Sequence, residues 1–201
     1  MRKTKTKTSI EKIRRQDLVE AAYLTFLEYG LSGMTMARIG ERAGMSHGIV
    51  NYYFKTKDEL LSAVVRKANF LIMQDTGRRL RQAGTPRERI SAIIAANFAP
   101  DLFTCEIARA WVSYYAAIGT HPDFERLQNA VDRRLASNLR HALRPLVASG
   151  RIGGIANGVA LFIDGLWLRH AKSSDVLEAA DAVRQVEDYV ELQLRADRSD
   201  A

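Results

Sequence analysis

The sequence predicts an all-α protein, and three observations support this fold class. Only 4 of the 201 residues are proline, so little interrupts long helices. No stretch sustains the alternation of apolar and polar residues that marks a half-buried strand. Apolar residues recur instead every three to four positions, which is the spacing of one buried helix face. With 47% hydrophobic residues, the chain can also form a substantial core.

The N-terminal third contains four predicted helices whose ends carry recognisable caps. Threonine and serine accept hydrogen bonds from free N–H groups at helix starts, and glycine adopts the left-handed backbone that closes helix ends. The elements are a helix over 11–29 ended by Gly30, a short helix capped by Thr35 and closed by Gly44, a second short helix over 46–53, and a longer helix opened by Thr56.

Five further helices are predicted in the rest of the chain. Pro86 suits the first turn of a helix, where its missing N–H has no partner to lose. Pro145 is expected to end or kink the third of these helices. The five elements span residues 88–98, 106–118, 124–147, 152–171 and 176–195.

Positive charge is concentrated at the N-terminus. Residues 1–57 hold 11 Lys/Arg and 5 Asp/Glu, a net charge of +6, whereas residues 58–201 hold 19 and 18, a net charge of +1. A basic quarter on a nearly neutral body favours a polyanionic partner for that quarter. The Lys/Thr-rich start, residues 2–7, is equally compatible with a solubilising tail.

Composition also predicts the compartment. The single cysteine, Cys105, excludes an internal disulfide and a cysteine-based zinc site, so a reducing cytoplasm is expected. No apolar run reaches the ~18 residues of a membrane span, and no apolar segment of a secretory signal follows the basic start. A membrane-surface role is disfavoured because no Trp or Phe precedes Tyr23.

Catalytic and metal sites are not expected. The histidines, at positions 47, 121, 141 and 170, are scattered, and no Glu-x-x-His pair occurs. No glycine-rich phosphate loop follows a strand. The sequence therefore predicts a non-enzyme with no metal and no cofactor.

The two short helices predict a helix-turn-helix. Helices of about eight residues are unstable alone and must pack against a neighbour, and Gly44 suits the sharp turn between them. In the second helix the spacing turns Ile49, Val50 and Phe54 inward. The outward side chains are then His47, Gly48, Asn51 and Tyr52.

These outward side chains suit duplex DNA. Asn pairs with adenine in bidentate fashion and His bonds base or phosphate, while Tyr hydroxyls bond phosphates. Thr35 and Ser46 lie at helix N-termini, where free N–H groups favour a phosphate oxygen. Lys55 and Lys57 add positive charge. Short helices with exposed tyrosines also occur in ordinary helical domains, and that alternative stays open on these residues alone.

A longer motif carries a family resemblance. The run T-x-x-x-I-x-x-x-A-G-M-S-x-G-x-x-x-Y-Y-F-K-x-K-x-x-L over residues 35–60 resembles the DNA-binding domain of the TetR family of bacterial repressors. The resemblance implies base contacts by His47, Gly48 and Asn51, and phosphate contacts by Thr35, Ser46, Tyr52, Tyr53 and Lys57. The basic arm before Glu11 would add a minor-groove or phosphate contact.

The same resemblance implies the organisation of the whole chain. Residues 1–56 would form the helix-turn-helix domain that binds double-stranded operator DNA. Residues 57–201 would form a helical domain that binds a small molecule and makes a homodimer through the last two helices. Gly158, in a glycine-rich helix, is interpreted as a dimer-packing position, and Gly153 alternatively as a kink.

A ligand-like cluster is predicted in the second domain. Trp111, Tyr114 and Tyr115 share one helix face, and Asp164 stands in an apolar helix three residues before Trp167. Such an aromatic stripe is commonly plain core, and Arg109 or Arg169 could neutralise the carboxylate. An aromatic cage with one carboxylate alternatively selects a quaternary ammonium through cation–π attraction.

Three stretches resemble a narrower, choline-responsive branch of the family. They are FIDGLWLR, AWVSYYA and H-P-x-F-x-R-L-Q-x-x-x-x-R-R-L-x-S-N-L, the last over residues 121–139. The resemblance implies choline as effector and the genes of glycine betaine synthesis as targets. Another cationic or hydrophobic effector is the alternative.

Overall fold

A computed structural model describes residues 2–173 and 177–199, and these residues form nine helices and no strand. In chain order the helices are α1 (Arg2–Gly33), α2 (Met36–Ala43), α3 (His47–Tyr53), α4 (Lys57–Gln82), α5 (Pro86–Asn97), α6 (Cys105–Ile118), α7 (Pro122–Leu143), α8 (Ser149–Lys172) and α9 (Ala179–Ser199). The all-α prediction is confirmed. None of the helices within these ranges has the length and apolar character needed to cross a membrane.

The first core joins α1–α4 to α6. Leu18 and Phe26 of α1 pack with Ile39 of α2 and Val50 of α3, and all four side chains are buried. Ile10 and Ile13 are exposed, and burial on α1 begins only at Leu18. This core fixes α3 to the body of the protein through the two helices before it.

The predicted end of the first helix at Gly30 coincides with a break in α1. The φ of 64° and ψ of −171° at Gly30 are not helical, and one more turn follows to Gly33. The left-handed φ is the reason that a glycine stands at this position. The structure describes only the backbone of residues 2–9, so the basic side chains of residues 2–7, expected to add DNA contacts, are not part of it.

The second core joins α5, α7, α8 and α9. Its members are apolar side chains at helical spacing, namely Ile90, Ile93, Phe98, Leu139, Leu143, Val159, Ile163, Val186 and Val190. Helix α7 ends at Leu143 with Arg144 as its C-cap, immediately before Pro145, which has no N–H to continue the helical hydrogen bonding. The predicted start of the last helix, Val176, lies outside the described residues.

Gly158 has a role within the chain. A Cβ at this position would overlap the hydroxyl and ring of Tyr189 on α9. The interpretation of Gly158 as a dimer-packing position is therefore corrected, since its missing side chain already makes room for a neighbour in the same protomer. The last two helices thus pack together tightly before any second copy is added.

Candidate nucleic-acid interface and effector site

Helix α3 is defined by caps at both ends. The Ser46 hydroxyl accepts a hydrogen bond from the Ile49 N–H at 3.4 Å, and the Phe54 N–H donates to the Val50 carbonyl. Val50 and Phe54 are completely buried. A seven-residue helix is too short to persist alone, so these buried side chains are what hold α3 in place.

Gly40 sets the distance between α2 and α3. A Cβ at this buried position would lie 2.7 Å from the Met45 carbonyl oxygen and 3.2 Å from the Val50 Cγ2. The Met45 N–H already donates to the Gly40 carbonyl at 2.8 Å. The turn itself uses Gly44 in the left-handed conformation, with φ 63°. Sequence reasoning found Gly44 but missed Gly40, whose only signal was a glycine inside an otherwise good helical segment.

The outward side of α3 carries the predicted DNA-facing residues. His47, Gly48 and Tyr52 are exposed, Tyr52 at 63%, and Asn51 is half-buried. We call His47, Gly48, Asn51 and Tyr52 the polar flank of α3. The packing that turns Val50 into the core leaves this flank free for another molecule.

The predicted phosphate-binding residues lie around the polar flank. The Thr35 hydroxyl caps α2 by accepting from the Arg38 N–H at 3.3 Å, and Tyr53 is half-buried with its ring edge-on to Tyr52 at 5.1 Å. The Lys57 ammonium donates to the Leu31 carbonyl at 2.5 Å. In the free protein Lys57 is therefore bound to the end of α1.

The aromatic residues of α6 separate into core and surface. Tyr114 is fully buried, its hydroxyl donates to the Phe124 carbonyl at 3.3 Å, and burial raises the pKa of its phenol to about 12. Trp111 is 9% exposed and contacts Phe26. Tyr115 is 41% exposed and stacks on Trp111 with ring centroids 5.9 Å apart. Tyr115 is thus the most exposed of the three rings.

Two carboxylates act on Tyr115. Protein around its phenol raises the pKa most, and the negative charges of Asp164 on α8 and Asp132 on α7 raise it further. Asp132 accepts a hydrogen bond from the Gln128 amide at 2.8 Å. Sequence reasoning missed Asp132, because nothing in α7 alone indicates that it faces another acid. We call Trp111, Tyr115, Asp132 and Asp164 the effector cluster.

Asp164 is exposed. Within residues 2–173 and 177–199, neither Arg109 nor Arg169 forms an ion pair with it, and Arg109 instead donates to the Ala171 carbonyl at 3.3 Å. Desolvation by nearby protein and then the charge of Asp132 raise the pKa of the Asp164 carboxyl to about 6.

Trp167 lies in a different aromatic group. Its indole N–H donates to the Asn97 carbonyl at 3.2 Å, and its ring meets Phe103 edge-on at 5.0 Å. Phe103 in turn stacks on the buried His170. Trp167 therefore has a packing role between α5 and α8, whereas Asp164 acts on Tyr115 through its charge.

A separate cavity lies between α4, α5 and α7. It measures about 260 Å³ and is lined by apolar side chains and amides, including Ile72, Leu80, Ile93, Asn69 and Asn97, with Arg134 at its wall. The five predicted ligand residues, Trp111, Tyr114, Tyr115, Asp164 and Trp167, do not line it. The aromatic and acidic residues around Tyr115 and the apolar cavity are thus two distinct features of this domain.

Solved structures of bacterial regulators share this fold. A transcriptional regulator from Pseudomonas aeruginosa PAO1 superimposes with a TM-score of 0.79 at 23% identity, covering 94% of each chain. A regulator from Saccharomonospora viridis, solved in complex with choline, has a TM-score of 0.75 at 18% identity and covers 88% of this chain and 95% of its own. At these identities the likeness shows the fold.

Sequence relatives establish the family. The chain is 40% identical over 188 residues to the HTH-type transcriptional regulator BetI of Brucella suis, covering 94% of this chain and 95% of the relative. The corresponding protein of Paraburkholderia xenovorans is 36% identical, with 94% and 97% covered. The family model of bacterial regulatory proteins of the tetR family matches residues 18–64, and that of the BetI-type transcriptional repressor C-terminal domain matches residues 86–195. The chain therefore belongs to the TetR family of bacterial transcriptional repressors, with a C-terminal domain of the BetI type, and is a regulator, not an enzyme.

Proposed function

We propose that this repressor is a cytoplasmic homodimer that binds operator DNA through α3 and is released by choline. Its targets would be genes of glycine betaine synthesis. The observation that carries the effector assignment is the exposed ring of Tyr115, whose phenol feels the negative charges of Asp164 and Asp132. The DNA-binding domain would comprise residues 1–56, and the sensing domain would begin with α4 at Lys57.

In the proposed complex the polar flank enters the major groove. His47, Gly48 and Asn51 contact bases, and the surrounding residues Thr35, Ser46, Tyr52, Tyr53 and Lys57 contact phosphates. The exposure of this flank and the capping of α2 and α3 support the assignment. A dimer then reads two half-sites about 34–36 Å apart, one turn of the duplex.

Replacing Asn51 by Ala is expected to relax base preference at one operator position. Loss of a bidentate contact with adenine weakens binding by about 1–3 kcal/mol at the preferred base. Lys55→Ala is the contrast, because an exposed cation should weaken binding to every sequence and reduce the salt slope by about one. Binding titrations against an operator library at several salt concentrations measure both, and identical behaviour of the two variants would refute the base-reading role.

Exposed apolar side chains on α8 and α9 support a dimer through these helices. Leu161 and Leu192 are each 63% exposed, and Leu168 is 47% exposed. Gly154 and Gly165, on the same helix as Leu161, have open space where a Cβ would lie. An apolar surface with gaps beside it suits close packing of a second copy.

Leu161→Glu is expected to weaken self-association at least about tenfold, because it places a charge in the core of the proposed interface. Leu24→Glu is the matched control, since Leu24 is 42% exposed but lies on α1. Sedimentation velocity over a concentration series gives the dimer fraction of each protein. Equal dissociation constants for the two variants would place the interface elsewhere.

The effector cluster suits a quaternary ammonium such as choline. Such a cation is weakly hydrated and is attracted both to the face of an aromatic ring and to a carboxylate. Tyr115 offers the ring, Trp111 supports it from behind, and Asp132 and Asp164 supply negative charge. The choline complex of the Saccharomonospora viridis regulator gives independent support to the effector class.

The cavity between α4, α5 and α7 favours a second candidate, a hydrophobic effector. Its apolar lining and the cation of Arg134 disfavour a small ammonium ion. Calorimetry with choline, decyltrimethylammonium and a fatty acyl thioester separates the candidates. We expect heat from choline; binding of the thioester alone would favour the cavity and overturn the choline assignment.

Effector and operator should oppose each other reciprocally. If choline lowers operator affinity, the operator must lower choline affinity by the same factor, because both ligands act on one equilibrium. Equal choline affinity with and without operator would exclude this coupling.

A further inference from the structure

The kink at Gly30 leaves a backbone N–H that another helix captures. With φ at 64°, Gly30 interrupts the helical hydrogen bonding of α1. The N–H of the next residue, Leu31, donates instead to the Ser113 hydroxyl at 3.2 Å. This bond crosses from α1, in the DNA-binding domain, to α6, in the sensing domain.

Ser113 is firmly placed on the effector helix. Its hydroxyl donates to the Ala110 carbonyl at 2.6 Å, so it is bonded on both sides. It lies two residues from Trp111 and two from Tyr115, the aromatic members of the effector cluster. A shift of α6 at Tyr115 therefore moves Ser113 as well.

The other side of Leu31 holds the start of α4. The Leu31 carbonyl accepts the Lys57 ammonium at 2.5 Å. Lys57 is the first residue of α4 and follows the last residue of α3, Tyr53, by only four positions. The position of Leu31 therefore affects the start of α4 and, through this short connection, the position of α3.

We propose that Ser113 and Lys57 are positioning residues that clamp Leu31 between them and so set α3 in the DNA-reading position. The clamp links the effector helix to the reading helix through two hydrogen bonds, and for its effector arm this inference rests on the proposed effector site. Lys57 thus acts inside the protein as well as at a phosphate.

The domains also meet elsewhere, so loss of the clamp need not unfold the chain. The Lys67 ammonium on α4 lies 2.5 Å from a carboxylate oxygen of Glu20 on α1. Trp111 and Phe26 pack across the same boundary. The clamp is a specific polar link within a larger apolar interface.

A double-mutant cycle on the full-length protein tests the clamp without effector. Ser113→Ala, Lys57→Met and the double variant are compared with wild type for operator affinity by fluorescence anisotropy at fixed salt. We expect Lys57→Met to lose about threefold less affinity in the Ser113→Ala background than in wild type, because the two residues act through one peptide. If the losses of affinity in the two single variants multiply to give the loss in the double variant to within about twofold, the residues act independently and the proposal is overturned.

Two control variants test whether the coupling depends on the Ser113 hydroxyl. Ser137→Ala removes an exposed hydroxyl on α7 and should leave the effect of Lys57→Met on operator affinity unchanged. In the Ser113→Thr background, Lys57→Met should lose as much operator affinity as in wild type, because threonine keeps the hydroxyl. If Ser113→Ala does not fold, Ser113→Cys replaces it with a weaker acceptor, and the same two outcomes decide.

A second experiment, with choline present, distinguishes failure of the clamp from failure of the proposed function. Calorimetry on wild type first establishes whether choline binds. If it does, Ser113→Ala should keep choline affinity within about twofold while the fall in operator affinity caused by choline shrinks at least about threefold. If wild type ignores choline, the effector assignment fails, and the cycle without effector still decides the clamp.

Discussion

Replacing Asp164 by Asn is expected to weaken choline binding roughly 30- to 100-fold at pH 8. The substitution keeps the size and polarity of the side chain but removes one of two negative charges in the effector cluster. A loss of about 2–3 kcal/mol lies between the values for exposed and buried ion pairs, because the carboxylate is exposed in the free protein and a bound cation would shield it from water. Isothermal titration calorimetry measures the change, and Asp101→Asn, an exposed carboxylate before α6, is the matched control.

The same substitution should abolish a pH dependence. The pKa of Asp164 is raised to about 6, so its carboxyl is mostly ionised at pH 8 and mostly protonated at pH 5. A cation binds the ionised form, so choline affinity should fall as pH decreases through 6, approaching about tenfold per pH unit well below it. Binding near pH 6 should also release a proton to the buffer.

The free energy of unfolding should depend on pH with the opposite sign to choline affinity. The folded state holds the Asp164 proton more tightly than the unfolded chain, whose pKa is near the ordinary value of 3.8. The contribution of this group to the free energy of unfolding therefore decreases as pH rises from about 4 to 6.

Choline affinity that stays flat from pH 5 to 8 in wild type would exclude Asp164 from the site.

Gly40→Val is expected to lower the free energy of unfolding by about 3 kcal/mol and operator affinity at least about tenfold. The Cβ would lie 2.7 Å from the backbone oxygen of Met45, which cannot move without opening the turn. Helix α3 would then separate from α2, and the polar flank would no longer be held in one position. Chemical denaturation and operator titration measure the two losses.

Gly77→Val is the matched control for Gly40→Val. Gly77 also lies inside a helix, but a Cβ there meets only the flexible end of Arg81 at 3.7 Å. Because valine is a slightly better helix former than glycine, this variant should be neutral or mildly stabilising. Equal losses in the two variants would show that close packing at Gly40 is not the cause.

The DNA-reading unit was predictable from sequence because local chemistry determines its elements. Thr35 and Ser46 cap α2 and α3 as their residue types predict, and Gly44 turns the chain with the left-handed φ that favours glycine. The inward position of Val50 follows from helical spacing. None of these features needs knowledge of a distant part of the chain.

The effector cluster was only partly predictable, because its members come together through tertiary packing. The charge of Asp164 acts on Tyr115 from α8, but that of Asp132 also acts from α7, and no local signal marks Asp132. Tyr114 and Trp167 carry the right chemistry, yet each is engaged by a backbone carbonyl. Helical periodicity places residues on a face and does not reveal which neighbour covers that face.

The two sides of α3 have an evolutionary consequence. Anchoring depends on Val50 and Phe54, whereas the four positions of the polar flank contribute little to the core. Duplicated genes could therefore acquire new target promoters by exchanging a few surface side chains while the scaffold, and its response to metabolite, are inherited intact.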